Sequence, residues 1–218
     1  MRDSRPAVTR EARLESMPIR LPVVDINAIG AGGGSIGWID DGGALRVGPR
    51  SAEAFPGPAC YGRGGTEPTV SDANLVLGRL GSATRLGGDM PVDVEAARRA
   101  IATRIAEPLS IDVTEAASGM LRVAHANIVR GIRVVSVERG HDPRDFVLMP
   151  FGGAGPMHGS PVARDLGMRR LLVPPNPGIL CAFGLLVSDL RRDLLETHVR
   201  PIADFGFEAA SPILERLH

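Results

Sequence analysis

Two glycine clusters, each placed directly after an apolar, strand-like run, constrain this chain more than any other feature. The first is Gly30-Ala31-Gly32-Gly33-Gly34-Ser35, behind Leu21 to Ile29; the second is Gly152-Gly153-Ala154-Gly155, behind Phe146 to Phe151. Residues without a Cβ let the backbone come close to a ligand, and runs of them present N–H groups to an anion. The second cluster leads into Pro156, a favoured first residue of a helix, and the pattern predicts a helix over Pro156 to Leu166. A strand over Arg170 to Pro174 and an apolar helix opened by Asn176-Pro177 follow. Strand, glycine turn, helix and strand in that order predict an α/β fold with right-handed crossovers and ligands at the strand ends. A helix N-terminus behind a glycine turn offers free N–H groups to a nucleotide or anion, whereas plain strand-to-helix packing asks for one glycine rather than three.

The first cluster has a different sequel. Gly32-x-Gly34-x-x-Gly37 fits the spacing of a dinucleotide fingerprint, but that fingerprint requires a helix next. Here Ser35 to Asp40 and Ala44 to Val47 are short apolar runs joined by Asp41-Gly42-Gly43, which predicts a β-hairpin and removes the dinucleotide reading. Two readings of Gly30 to Ser35 stand: a loop that lets a phosphate approach the backbone, or a tight turn needing positive φ.

Between the clusters, residues 48 to 70 form a Pro/Gly-rich irregular stretch around Pro56-Gly57-Pro58-Ala59-Cys60-Tyr61. Ser71 is a candidate cap for a short helix over Asp72 to Leu80, and Asp93 for a second that places Val94, Ala97, Ile101 and Ile105 on one face before Pro108. Asp112 or Thr114 is a candidate cap for the longest helix, running to about Glu138 with Ala117, Leu121, Ala124, Ile128 and Ile132 at helical spacing, and Gly140 is its stop.

All 25 basic residues are arginine. The absence of lysine excludes a Walker-A lysine, a Schiff base and a lysine general base, so any phosphate must be held by backbone N–H groups, arginine, or a metal on carboxylates. Net charge is zero, and the arginines form no patch interleaved with aromatics, which excludes nucleic acid as the expected partner. No apolar run reaches the roughly 18 residues of a membrane span, and the arginine-rich start has no signal-peptide core. Cys60 and Cys181 lie far apart in unlike settings. Neither a disulfide framework nor a zinc site follows from them, and a cytoplasmic protein is expected.

Several polar residues carry two readings each. Asp25, Asp40 and Asp72 suit Mg²⁺ held through water, or capping of backbone N–H groups; Asp25, near the end of the first apolar run, is the candidate metal and catalytic carboxylate. Cys60 is read as a buried, inert thiol rather than a nucleophile. His158, just past the second cluster, is the candidate catalytic acid or base, while His125, on the long helix among apolar neighbours, is read as a core or surface residue and His141 is a further candidate. Arg63 and Arg139 are solvated side chains or clamps for phosphate or carboxylate.

Larger blocks of sequence carry a resemblance. Leu21-Pro22-Val23-Val24-Asp25-Ile26, Gly30 to Ile36, Pro56 to Asn74, Glu138 to Phe146, Phe151 to His158 and Pro177 to Leu186 are similar in order and spacing to the hydantoinase A and 5-oxoprolinase family, over roughly residues 5 to 200. The resemblance implies an actin- or sugar-kinase-like (ribonuclease H-like) ATPase fold closing around ATP and Mg²⁺. It implies opening of hydantoin or 5-oxoproline rings through phosphorylation of the amide oxygen, with acetone and acetophenone carboxylases as relatives. A hydantoinase B-like subunit or domain is the implied partner. In that frame Gly30, Gly32, Gly33, Gly34 and Ser35 line the cleft beside the phosphates, and Gly152, Gly153, Ala154 and Gly155 belong to the adenosine site. Asn27 stands where family members often carry histidine. No Asp-Gly-Gly-Thr phosphate loop precedes the first cluster. The expectation is therefore an incomplete catalytic domain over 1–200, with 1–20 a truncated edge segment and 201–218 the start of a following segment. A non-catalytic remnant or assembly subunit of a split gene, a ketone carboxylase subunit, and a sugar-kinase-like or redox nucleotide module are the alternatives.

Overall fold

One side chain makes the turn of the predicted hairpin. Asp40 Oδ1 accepts hydrogen bonds from the N–H groups of Gly42 (3.1 Å) and Ala44 (2.9 Å), and Gly43 supplies a φ of +78°. In this computed structural model, which describes residues 8–10, 12–14, 17–19, 21–189 and 211, the turn joins β5 (Ser35–Ile39) antiparallel to β6 (Leu45–Ser51). The register shifts between Ser35 and Gly37. Gly37 faces the long helix so closely that a Cβ would meet Met120 Cε at 2.6 Å.

The chain divides into two compact units, Met1–Ile26 with Leu186–His218, and Asn27–Leu185. In the first, β1 (Val8–Thr9) pairs antiparallel with β4 (Val23–Val24), and β2 (Ala12–Leu14) with β3 (Met17–Ile19). Part of the expected edge loop over 1–20 is thus a hairpin. Of the strand expected over Leu21 to Ile29, the structure shows β4 alone, paired with β1. Apart from Ser211, the segment expected from 201 onward lies outside the described residues.

The second unit is mainly helical. Helix α1 (Val70–Val76) begins at Thr69 rather than at the expected Ser71: Thr69 and Asp72 form a reciprocal capping box, which satisfies two N–H groups that a Ser71 cap would leave unpaired. The strands β7 (Arg85–Leu86) and β8 (Met90–Pro91) form a short antiparallel pair. Asp93 caps α2 (Val94–Ile101) as expected. The helical path does not stop before Pro108. It widens into a π-type turn at Ala102–Ala106, passes through α3 (Glu107–Leu109), and ends where Ser110 turns left-handed. Asp112 caps α4 (Val113–Val135) by accepting from Thr114 and Glu115. At Ser136 the backbone leaves the helix, so α4 ends short of Glu138, and one 3₁₀ turn leads to Gly140 at φ +75°.

The βαβ order predicted for the last third is present. Strand β9 (Val147–Leu148) pairs parallel with β10 (Arg170–Leu171), and α5 (Gly155–Asp165) lies between them in sequence. Both strands are shorter than expected, and Pro150 and Pro174, which lack an N–H to donate, lie within the residues lost. Asn176, left-handed at φ +51°, precedes the 3₁₀ turn that opens α6 (Leu180–Val187).

Helix α4 serves two cores. Its first half packs Ala117, Met120 and Leu121 against Ile101, Ile105 and Val70, each fully enclosed large side chain contributing about 2 kcal/mol of transfer free energy. Its second half packs Val129, Ile128 and Ile132 against Val162 of α5 and Leu166 at its C-terminal end. This second contact fixes the distance between the two glycine clusters.

Candidate functional site

The first glycine loop is tied down by its own serine. Ser35 Oγ accepts from the Gly32 N–H (3.0 Å) and donates to the Gly30 carbonyl (3.3 Å), and the Ser35 N–H donates to the Gly32 carbonyl (3.1 Å). Outward bonds anchor it: the Gly33 carbonyl accepts from the Ser71 N–H and the Gly34 carbonyl from the Ala52 N–H. Gly30 takes φ +58°. At Gly33 a Cβ would meet Ser71 Oγ at 2.7 Å and Ala154 Cβ at 3.8 Å, so this glycine lies against the second loop.

The second loop turns at Gly152, φ +84°, whose N–H donates to the Pro177 carbonyl at 2.8 Å. It opens α5, which has no side-chain cap at Ala154 and carries proline in its first turn. Gly159 lets this helix press onto Pro150, where a Cβ would meet Pro150 Cγ at 2.7 Å.

Between the loops lies a cavity of about 450 Å³. Gly32, Gly33 and Ser35 line it from one side, Gly153, Ala154, Gly155 and His158 from another, and Ile128, Ile132, Phe151 and Val162 supply apolar wall. Spacing alone offers no link between clusters about 120 residues apart, though the family resemblance implied one cleft for both, and the structure brings residues of both to one space. Gly30 lines a neighbouring cavity of about 510 Å³ with Asn27, Trp38, Arg46 and Arg130; Gly34 and Gly152 act as backbone joints. Among the described residues the central cavity carries no arginine, aspartate or glutamate.

His158 is 6 % exposed, and the residue that holds it is one read from the sequence as a core or surface residue. His125 of α4, also 6 % exposed, places its Nε2 3.0 Å from His158 Nδ1, with the rings edge-on at 67°. One of the two nitrogens carries the shared proton. Burial is the main cause that pushes His158 down to about 4; a charge on His125 and the Arg79 guanidinium add to it. Burial and Arg79 also lower His125, against the opposing pull of Asp165. Both rings are therefore neutral at pH 7, fit to accept or donate a proton. The only sequence signal for the pair was the placing of His125 four residues after Leu121 and three before Ile128, on the face that packs inward.

The other candidates fall elsewhere. Asp25 is half-buried in the first unit, whereas the cavity belongs to the second. Asp40 and Asp72 cap backbone N–H groups. Cys60 is fully buried, and burial beside the Asp72 carboxylate pushes its thiol pKa up. His141 packs against Phe146, and Arg63 and Arg139 are exposed. No group of three His, Cys, Asp or Glu side chains able to hold a metal occurs among the described residues, and no helix among them is long and apolar enough to cross a membrane.

Comparison with known proteins supplies the family frame. Residues 1–194 match the model of the hydantoinase/oxoprolinase family. The alpha subunit of caprolactamase from Pseudomonas jessenii is 51 % identical over 179 residues, 82 % of this chain and 26 % of that protein. The crystal structure of the ATP-dependent caprolactamase from the same organism superposes with a TM-score of 0.76 at 44 % identity, covering 96 % of this chain and 31 % of that one. 5-Oxoprolinase 1 of Arabidopsis thaliana is 38 % identical over 222 residues, 94 % of this chain and 17 % of that protein. A nucleotide-free acetone carboxylase, solved in a study of ATP-dependent acetone carboxylation, has a TM-score of 0.77 at 30 % identity, over 84 % of this chain and 26 % of that one. The chain thus spans under a third of each of these relatives.

Proposed function

Because this chain belongs to the hydantoinase/oxoprolinase family, we propose that it forms part of the catalytic site of an ATP-dependent hydrolase that opens cyclic amides, within an actin- or sugar-kinase-like ATPase fold. The observation that carries this reading is the convergence of both glycine loops and His158 on one cavity of about 450 Å³, within the ordinary range for small-molecule sites.

The residues present fit a nucleotide on one count and leave it incomplete on another. Gly33, with no room for a Cβ, and the uncapped start of α5 suit close approach of phosphate to backbone. Gly30, Gly32, Gly33, Gly34 and Ser35 would hold the phosphate side and Gly152, Gly153, Ala154 and Gly155 the adenosine side. ATP supplies the activation that an unstrained amide needs. The cavity wall, free of charged side chains among the described residues, suits the methylenes of a lactam ring. Asp25, in the first unit, is the proposed carboxylate that would hold Mg²⁺.

Opening a lactam takes a proton from the attacking water and delivers one to the leaving nitrogen. His158, neutral at pH 7, is the proposed group for both transfers, an effect of about 10²-fold or more. Two relatives are named as subunits, the alpha subunit of caprolactamase and the gamma subunit of acetophenone carboxylase, which supports a hydantoinase B-like partner. The acetone carboxylase likeness favours one competing reading, activation of a ketone for carboxylation on the same site.

The test is ADP release by the native protein that carries this chain, titrated separately with caprolactam, 5-oxoproline, hydantoin, acetone and acetophenone. Lactam-dependent release with ring-opened product supports the hydrolase. Release only with a ketone and bicarbonate replaces it with the carboxylase, and release with none of them overturns both.

A further inference from the structure

Among the described residues His158 is the only titratable side chain on the cavity wall, and it is not alone behind that wall. Its Nδ1 is engaged 3.0 Å from His125 Nε2, and no hydrogen bond among the described residues engages its other ring nitrogen, Nε2. His125 itself is absent from the cavity lining. It reaches the site only through His158.

We propose that His125 is a positioning residue and proton relay for His158: when His158 Nε2 takes a proton in the cavity, His158 passes its Nδ1 proton to His125 Nε2, and the step reverses to return it. The inference rests on the reading of His158 as the group that moves protons during ring opening.

The proton count of ring opening closes without any further reactant. At rest His158 carries its proton on Nδ1 and donates it to His125 Nε2, while His125 carries its own on Nδ1. Attack of water on the amide carbon, activated by phosphorylation of its oxygen, forms the C–O bond and gives a water proton to His158 Nε2. The Nδ1 proton then moves 3.0 Å to His125, which becomes the imidazolium. His158 is left neutral with Nε2–H directed to donation. As the C–N bond breaks, the nitrogen takes that proton and His125 returns the other to His158 Nδ1; the phosphoryl group taken from ATP stays on the carboxyl oxygen, and a second water releases it as phosphate.

The surroundings explain why two rings are better than one. A charge left on His158 would sit at an apolar wall of Ile128, Ile132 and Val162, where an ion is poorly solvated. Moved to His125, the same charge lies within the pull of the Asp165 carboxylate of α5, which favours it; Arg79 opposes charge on either ring. Burial and Arg79 disfavour charge on both rings, and Asp165 offsets them in part at His125 alone, so His125 is the ring proposed to hold the extra proton. Close contact forbids two charges at once, so the pair takes up one proton and refuses a second.

Two measurements test this, and they fail separately. The first needs no catalysis: long-range ¹H–¹⁵N spectra of the histidine-labelled chain from pH 7.5 to 3.5, assigned with His125→Gln and His158→Gln. The expected result is that His125 becomes the imidazolium first, while His158 stays neutral and moves its proton from Nδ1 to Nε2. Charging of His158 before His125, or independent titration of the two, overturns the relay. The second is the pH profile of lactam-dependent ADP release by the native protein. Glutamine at position 125 can still hydrogen-bond His158 but cannot take the charge, so His125→Gln is expected to lower kcat at least about tenfold with KM unchanged and to displace the acidic limb. Wild-type kcat in His125→Gln, with kcat lost in His158→Gln, leaves His125 a mere spacer and overturns the relay alone. Unchanged kcat in His158→Gln overturns the underlying reading of His158.

Discussion

The Asp72 carboxylate accepts a hydrogen bond from the backbone N–H of Cys60 at 2.7 Å, joining the Pro/Gly-rich stretch to the start of α1. The same carboxylate accepts from the Thr69 N–H (2.8 Å) and hydroxyl (2.7 Å), and Asp72 is fully buried. One side chain therefore fixes a helix start and the loop beside it.

Replacing that carboxylate strands three buried donors. Asp72→Ala is expected to cost about 3 kcal/mol, and Asp72→Asn somewhat less, since one oxygen survives but the new NH₂ faces donors. Urea unfolding measures this as a lowered midpoint at an unchanged slope. A loss under about 0.5 kcal/mol for both variants would contradict the capping role.

The two cysteines should separate cleanly in reactivity. Cys60 is fully buried with its pKa raised by burial and the Asp72 carboxylate, whereas Cys181 is exposed. A thiol reagent at pH 8 is expected to modify Cys181 in minutes and Cys60 only on unfolding, as read by mass of the labelled peptides. Fast labelling of Cys60 in the native chain would contradict its placement.

How much of this was legible in sequence depends on the range of the interaction. Asp93 and Asp112 could be read as caps because a cap acts on N–H groups two or three residues away. The hairpin at Asp40 was legible for the same reason. Ser71 was a wrong cap because Thr69 and Asp72 cap the helix reciprocally two residues earlier, a local Thr-x-x-Asp pattern that the reading of Ser71 passed over. The strand lengths at β9 and β10 were overestimated because pairing, not propensity, sets them. Each glycine cluster was visible alone, and their meeting was implied only by the family resemblance, because local pattern cannot show α4 packing onto α5 through Val129, Val162 and Leu166. The contact of His125 with His158 was not legible on the same ground: the two are 33 residues apart, and sequence alone left His125 a core or surface residue.

Glycine substitutions should divide structure from ligand contact. Gly32 has open space around its absent Cβ, so Gly32→Ala is expected to leave stability within about 0.5 kcal/mol while filling part of the cavity and weakening ATP binding. Gly33→Ala would drive a methyl into Ser71 Oγ at 2.7 Å and cost about 1–3 kcal/mol as well. Calorimetric titration with ATP alongside thermal unfolding checks both. Unaltered ATP affinity in both variants would remove the first loop from the nucleotide site.

The histidine pair also makes stability fall in acid, and the direction follows from the buried neutral ring. Below the ordinary histidine value of 6.5 the unfolded chain carries His158 charged, while the folded chain keeps it neutral down to about 4. The unfolded state then binds more protons, so stability declines as pH drops through that window, and the full contribution returns above it. For a ring this enclosed the loss amounts to at most about 3 kcal/mol. Carboxylates elsewhere add their own acid sensitivity, so the informative quantity is the difference between the wild type and His158→Gln. Urea midpoints measured between pH 7 and pH 4 are expected to fall less steeply in the variant. Equal slopes would mean that His158 titrates in the folded chain as it does in water, which neither its burial nor its bond to His125 allows.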